Sequence, residues 1–468
     1  MGGWIRALAL GALFVCGFAH AASAQEASQT QRAQAREIYQ RVIAFNTSVE
    51  GAQTPAMADY LAGLFRGAGF AAEDVHVLPL NGTAGLVVRY RGNGSGGRPI
   101  LLLAHMDVVP ALRSDWERDP FTLVEENNFF FGRGTIDNKG GIVQLTSTFL
   151  ALRAEGFVPT RDLIIWFSGD EETTGATTEA LLAQHRDLLG NAEFALNSDA
   201  GGGQLDGNNR GIAYVVQTAE KTYASFTFTA RNPGGHSSQP REDNAIYDLG
   251  DALARLRAFQ FPVMWNDTTI ESFRNTARVF PGPEGAALRR FAEHPGDRVA
   301  ARTLAHNVSL SSMMRTTCVA TMLNGGHAEN ALPQSAAATV NCRIFPGVPV
   351  GDVLTELRAI AGGKVTVEPL GPSNSSEASP LRADVMQATS RAVHASYSDA
   401  VVSPYMSAGA TDGLFFRAAG IPTYGVGAIF IGDNDDFAHG LNERVPVDSF
   451  YKGLTHWRLL LTSLAGPQ

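Results

Sequence analysis

Apolar positions along the chain fall into two spacings. Ala33–Phe45 and Met57–Gly69 carry apolar residues at helical intervals, and Gly69 suits the left-handed cap that closes many helices. Gly85–Tyr90 and Ile100–His105 are short apolar runs bounded by Gly and Pro, a pattern that predicts strands. Lys139–Glu155 predicts a helix with Ile142, Leu145, Phe149 and Leu152 on one face. Asp162–Ser168 and Phe194–Asn197 are almost wholly apolar. Strands buried on both faces, alternating with helices, predict an α/β sandwich.

From about residue 221 the texture changes. Tyr223–Ala230 alternates polar and apolar positions, as a half-exposed antiparallel strand does. A helix is expected at Ala245–Ala258, then a stretch over 259–311 rich in Pro and Arg, for which no element is predicted. Strand-like runs follow at Ser312–Met322 and Ala336–Phe345, then a helix at Val350–Ala361 and a strand at Lys364–Pro369. That order is β-α-β-β-α-β. Ser373–Ser376 reads as the loop back to helix–strand alternation, with Arg382–Tyr397 helical and Ile421–Gly427 strand-like. The expected organisation is a catalytic α/β domain in two pieces, 25–220 and 371–468, with a second domain at 221–370 inserted between them.

Residues 1–24 are expected to be an export signal. Arg6 is followed by the apolar run Ala7–Phe18 and by the small-x-small pattern Ala22-Ser23-Ala24. Cys16 does not follow a small residue, so no lipid anchor is expected, and no later segment has the length of apolar chain that spans a bilayer. The expectation is an exported protein, periplasmic or secreted, with no stable membrane anchor. Loss of the signal leaves Cys318 and Cys342, either a pair formed in an oxidising compartment or two buried thiols.

In the 468 residues, 37 Lys and Arg stand against 46 Asp and Glu, a net charge of −9 that becomes −10 without the leader. No Lys/Arg-rich run appears, which argues against nucleic acid as a partner. The chemistry lies in His and acidic residues at strand ends. His105-Met106-Asp107 closes one strand, and residues two apart share a face, so Asp107 is placed to support His105. Alone it is as readily a polar strand end. Asp137 sits in the Gly-flanked run Gly132–Gly140 entering a helix, where a cap is the ordinary use of an Asp. Asp170-Glu171-Glu172 follows a buried strand and is either a solvated acidic turn or a cation site. Asp199 ends another apolar run, and His439 lies in Phe437–Asn442. Four such motifs follow four separate strands, and ligands of α/β sheets gather beyond the strands' carboxyl ends. Mixed imidazole and carboxylate donors suit zinc or a neighbouring transition metal, and five candidates suit two ions sharing one carboxylate.

The series H-M-D, G-R-G-T-x-D-N-K-G, D-E-E, S-D and A-H-G-x-N-E resembles the co-catalytic di-zinc exopeptidase family of glutamate carboxypeptidase, carnosinase-type dipeptidases, aminoacylase and succinyl-diaminopimelate desuccinylase. The resemblance implies a zinc-exopeptidase-like α/β sandwich carrying an inserted, ferredoxin-like α+β lid through which two copies dimerise. It implies two zinc ions, with cobalt or manganese as possible substitutes. Asp137 would bridge them, His105 and Asp199 would hold one, and Glu172 and His439 the other. Glu171 would be the general base and Asp107 would orient His105. His236, in Gly234–Ser238, would reach a partner subunit's site and stabilise the developing oxyanion. Asn330 and Arg343 match positions that bind the substrate's free carboxylate, and Arg meets a carboxylate bidentately. Gly409 lies in Ser407–Asp412, which resembles the backbone-donor loop beside them, although Ala410 stands where many members have Gly.

The expected reaction is hydrolysis of an amide bond next to a free C-terminal carboxylate, as in a carboxypeptidase or dipeptidase. Trp116 with Asp119-Pro120-Phe121, and Asn341–Gly347, resemble the branch of yeast vacuolar carboxypeptidase and fatty-acyl amino acid hydrolases. An N-acyl-amino-acid amidohydrolase is therefore the second reading, so the substrate is a small peptide or an N-acyl amino acid. A non-catalytic periplasmic binding protein reusing the fold is a third. The presence of every ligand position and of the base speaks against it. The side chains that shape the pocket around the cleaved residue are expected mainly in 259–311 and the loops.

Two motifs are set aside. Gly92–Gly97 fits G-x-G-x-x-G but joins two strands without opening a helix, so it reads as a turn and not a phosphate site. His306 and His327 have no ligand-like neighbours and read as polar loop positions.

Overall fold

The structure is a computed structural model and describes residues 26–467; the expected export signal at 1–24 lies outside the described residues. A ten-stranded sheet forms the frame of the larger part. Its central strands Leu163–Ser168, Ile100–His105, Phe194–Asn197 and Thr423–Gly425 run parallel in that spatial order. The hairpin Val75–Leu80 and Thr83–Tyr90 adds antiparallel strands on one side.

The pleat of these strands builds the sandwich. Ile100, Leu102, Leu163, Ile165 and Phe167 join the core beneath the helices Gln29–Ile43, Thr54–Gly67, Lys139–Ala154, Ala383–His394 and Val447–Ala465. The alternate residues Leu101, Leu103, Ile164 and Trp166 face the opposite core with Leu181 and Phe416. Period-two alternation within an all-apolar run is what two covered faces require. Gly85 is needed here, because a Cβ would stand 2.0 Å from the Trp166 ring.

The smaller sheet is antiparallel, in the order Thr317–Gly325, Ser335–Ile344, Thr222–Arg231, Val365–Pro369. Helices Ala245–Ala258 and Val350–Ala361 cover one face of it around Phe226, Phe228, Val340 and Leu357. Only Lys221 separates its strand Thr222–Arg231 from Gly211–Glu220 of the large sheet. Cys318 and Cys342 face each other across two neighbouring strands and form a disulfide. Thr317–Gly325 is an edge strand with Val319, Met322 and Leu323 exposed.

The stretch 259–311 forms helices Asp267–Thr276, Gly282–Glu293 and Arg298–Leu304 and enters a fourth, Val308–Ser312. Asn266, Asp297 and Asn307 cap three of them by accepting backbone N–H groups. Phe273, Leu288, Phe291 and Leu304 form a third core with Ala219 and Met406 of the large sheet. The chain is helical to Ser312, so the expected strand at Ser312–Met322 begins instead at Thr317.

The disulfide closes a loop over a sequence separation of 24 residues. Its removal in a Cys318→Ser/Cys342→Ser variant is expected to cost about 2–4 kcal/mol. Calorimetry should show melting lowered by several degrees, and thiol titration of the unreduced parent should find no free thiol at either position.

Candidate metal centre and active site

The acidic turn after Leu163–Ser168 divides its labour. Asp170 turns away from solvent and caps the helix Ala176–Gln184, accepting from the Ala176 N–H at 2.7 Å and the Thr177 N–H at 2.9 Å. That leaves Glu171 and Glu172 to face a cavity of about 300 Å³ whose walls also include Asp137, Asp199 and His439.

Two clusters meet at Asp137. His105 Nε2 lies 2.8 Å from Asp137 Oδ1 and 3.2 Å from Asp199 Oδ1. His439 Nε2 lies 2.9 Å from Asp137 Oδ2 and 3.0 Å from Glu172 Oε2. In each set, His105–Asp137–Asp199 and Asp137–Glu172–His439, one donor atom per residue lies within 4.8 Å of the others. Imidazole and carboxylate in that proximity, with one carboxylate offering an oxygen to each set, fit two metal ions. His439 is positioned by backbone in the left-handed region, with φ of 62°.

The protonation chemistry also fits cations. Burial pushes the Asp199 carboxyl up to about 7, and burial together with the Asp199 charge raises Glu171 well above the usual carboxylate range. Burial acts the same way on Asp137, but hydrogen bonds from His105 and His439 hold it below its ordinary value. Hydrogen bonds to Asp137 and Glu172 raise His439 to about 10. Without cations, protons on the imidazoles do part of the work of separating four carboxylates.

Supports for these groups come from residues outside both sets. Asp107 accepts from the backbone N–H of Glu171 at 3.1 Å and of Glu172 at 2.9 Å. The expected carboxylate partner of His105 is thus largely engaged elsewhere. His105 Nδ1 sits 3.0 Å from the Asp107 main-chain oxygen and 3.5 Å from its carboxylate. Glu443 is fully buried; it pairs with Arg133 at 2.8 Å and accepts from the Gly134, Ile136 and Asp137 N–H groups at 2.9, 2.7 and 3.1 Å. Asn138 and Ser198 lock the Asp137 loop to the Asp199 loop, the Ser198 hydroxyl donating to Asn138 Oδ1 at 2.8 Å and Asn138 Nδ2 to the Ser198 carbonyl at 3.3 Å. In the sequence Glu443 is only the last letter of A-H-G-x-N-E, a carboxylate after a His loop with no task assigned to it. Asp412, which burial raises to about 6, accepts from Ser168 and from Thr178.

The remaining candidates separate into two groups. Arg343 Nη1 donates to the Ala408 carbonyl at 2.6 Å and its guanidinium lies over the Tyr223 ring. The Gly409 N–H donates to Ser407 Oγ at 3.0 Å, and Ser407 and Ala410 are cavity wall. So Arg343 and Gly409 adjoin the metal cavity. His236, on the segment Gly235–His236, and Asn330, just before its partner Ala331–Leu332, lie together and exposed, with Ser238 bonded to His236 Nδ1 and the Asn330 carbonyl accepting from the Ser237 N–H at 3.0 Å. Neither is among the wall residues of this cavity. No residue of 259–311 is either, contrary to the expectation that this stretch shapes the pocket. Gly201, at φ 81°, follows Asp199 where a Cβ would meet the Gly425 carbonyl at 2.4 Å.

Comparison with known proteins matches residues 101–463 to the model of peptidase family M20/M25/M40. The chain is 29% identical over 376 residues to the N-fatty-acyl-amino acid synthase/hydrolase PM20D1 of Homo sapiens, covering 77% of this chain and 73% of that one. It is 28% identical over 386 residues to a probable carboxypeptidase S-like protein of Dictyostelium discoideum, covering 78% and 71%. The crystal structure of an M20 family metallo-carboxypeptidase from Sulfolobus solfataricus superposes with a TM-score of 0.67 at 19% identity, covering 92% of this chain and 99% of that one.

Metal ligands bind deprotonated, whereas the metal-free chain keeps a proton on His439 up to about pH 10 and on Asp199 up to about pH 7. Metal uptake should therefore release protons, and affinity should climb with pH by roughly tenfold per unit for each proton displaced. Titration calorimetry at pH 6.5, 7.5 and 8.5 in buffers of different ionisation enthalpy reads both quantities. An affinity flat across that range would remove His439 and Asp199 from the ligand set.

Proposed function

This chain belongs to peptidase family M20/M25/M40, and from that premise we propose that it hydrolyses an amide bond next to the free carboxylate of its substrate, using two zinc ions that cobalt or manganese would replace. The observation that carries the reading is Asp137 shared between two His/carboxylate sets, with Glu171 in the same cavity and outside both sets. His105 and Asp199 would hold one ion, Glu172 and His439 the other. When bound, the ions would polarise a carbonyl and render water nucleophilic at neutral pH.

The chain's own groups supply the rest. Glu171, with its proton affinity raised by burial, takes a proton from the attacking water and returns it to the leaving amine. Asp107 holds the backbone of Glu171 and Glu172 in place. Arg343, whose guanidinium meets the Ala408 carbonyl and the Tyr223 ring, receives the free carboxylate together with Asn330 and the Gly409 loop. His236 donates to the developing oxyanion. Because His236 and Asn330 stand apart from the cavity wall of their own chain, this reading has them delivered by a second copy, across a dimer formed through the small domain. The exposed edge strand Thr317–Gly325 with Val319, Met322 and Leu323 supports that surface. The expected division of the chain at 220/221 and 370/371, with the small domain acting as a lid, belongs to this reading. So does export to the periplasm or beyond, supported by a disulfide of the kind that persists in oxidising compartments.

A second reading, N-acyl-amino-acid hydrolysis, is favoured by the N-fatty-acyl relative, whereas the carboxypeptidase S-like relative favours peptides. Both share the leaving amino acid and its carboxylate. Among the described residues no helix is long and apolar enough to cross a membrane.

Mass-spectrometric screening of zinc-loaded protein on dipeptides, N-acyl amino acids and the C-terminal amide of each is the test. Free acids should be cleaved and amides spared; equal cleavage would remove Arg343 from the carboxylate site. Glu171→Gln should keep both metals and lose about 10²–10⁴-fold in kcat. Near-parental turnover in the metal-loaded variant would show that another group moves the proton. Mixing inactive His236→Ala with inactive Glu171→Gln should restore part of the activity if His236 serves a neighbouring subunit, and no restoration would place it in its own.

A further inference from the structure

The metal cavity opens into a second, larger one of about 480 Å³, which shares Asp137, Asp199, Ala200, Gly201 and Val215 with the first. That volume lies within the ordinary range for small-molecule sites. Its remaining walls are largely apolar, with Ile136, Ala213, Ile429, Ile431 and Ala438 among them. Three strands build the floor. Gly202 and Gly203 come from Gly202–Leu205, Ala213 and Val215 from one face of Gly211–Glu220, and Ile431 and Gly432 from Phe430–Gly432. Small residues at 202 and 213 leave the space above the sheet unfilled by side chains, whereas Gly203 turns to the other face, where a Cβ would meet the Phe430 ring. The loop around Ser407 and Ala410, where Arg343 sits, lines only the smaller cavity. The two parts of an amide held at Asp137 and Asp199 thus have separate places, the carboxylate towards Arg343 and the acyl part along the floor.

Charge narrows the occupant. Beyond Asp137 and Asp199 the groove carries Asp433 and Asp436, and no Lys or Arg among the described residues lines it. Gln204 bonds to Asp433 and covers part of its charge. A tail bearing its own carboxylate would meet like charge without a counterion, and an unpaired charge against an apolar wall is costly.

Resting on the amide-hydrolase reading above, we propose that this groove is the acyl site and that it selects an uncharged, apolar acyl chain several carbons long. The preferred substrate class is then the medium- to long-chain N-acyl amino acid, with dipeptides and N-succinyl compounds served poorly.

The experiment uses the zinc-loaded protein and N-acetyl-, N-hexanoyl-, N-decanoyl-, N-succinyl- and N-(6-aminohexanoyl)-phenylalanine, with alanyl-phenylalanine for comparison. kcat/KM should rise by up to about fourfold per added methylene until the groove is filled. The succinyl and aminohexanoyl compounds should fall below the hexanoyl one. In Ala213→Phe, and separately in Ile431→Asp, the decanoyl-to-acetyl ratio should drop at least tenfold. That ratio is internal to each preparation, so a loss of folded protein does not move it. A flat chain-length profile, a ratio unmoved in both variants, or preference for the aminohexanoyl tail would overturn the acyl site while leaving the hydrolase reading intact. Failure to cleave any free-carboxylate amide, peptide or acyl, would overturn both.

Discussion

Like-charge repulsion at Asp137, Glu171, Glu172 and Asp199 is the constraint around which this molecule is organised. Four carboxylates share one cavity with the His439 imidazole, His105 stands against two of them, and burial makes the Glu171 and Asp199 charges harder to keep. Such a set stays in place only if the backbone beneath it is fixed independently. Glu443 does this for the Asp137 loop by accepting from the Gly134, Ile136 and Asp137 N–H groups and pairing with the Arg133 guanidinium. Deleting one partner of a buried pair of this kind typically costs about 3–5 kcal/mol. Asp107 fixes the Glu171–Glu172 backbone, and Asn138 with Ser198 ties together the loops that carry Asp137 and Asp199. The acids of the two donor sets are held by other polar residues that lie outside both sets.

Behind that layer the fold continues the same support. Tyr39 of the first helix donates to the Thr135 carbonyl at 2.6 Å, and buried Lys139, lowered to about 7 by burial, donates to the Phe45 carbonyl at 2.7 Å. On the far side, Glu220 and Arg417 pair in the interior, and Thr411 donates to Glu220 at 2.6 Å beneath the Ser407–Asp412 loop. The loop beside Arg343 is thereby attached to the end of the strand that leads, through Lys221, into the small domain. The loop against Arg343 and the strand leading into the small sheet are thus tied to one polar cluster.

The sequence made the α/β sandwich, the small antiparallel sheet and the clustered His and acidic residues legible because each rests on local rules. All-apolar runs ending in His or Asp mark parallel strands whose carboxyl ends converge, as Ile100–His105 and Phe194–Asn197 do. What stayed hidden depends on tertiary partners. Val401–Ser407 carries Pro404 and pairs only along Gly211–Glu220, while Gly202–Leu205 has no β-branched residue to announce it. The helices over 267–312 are short, and their apolar residues find partners beyond the stretch in Ala219, Phe345 and Met406. Glu443 is a single letter in the chain, and its burial beside Arg133, 310 positions earlier, has no local signature.

His439 stands at φ of 62°, a region that Gly or Asn occupies at less cost than an imidazole-bearing residue. Evolutionary drift at this position is therefore biased. A replacement by Gly or Asn relaxes the backbone and removes a donor from the Glu172 set in the same step. The same step would leave Asp137 and Glu172 without the imidazole that lies between them, so backbone conformation and charge pull this position in opposite directions.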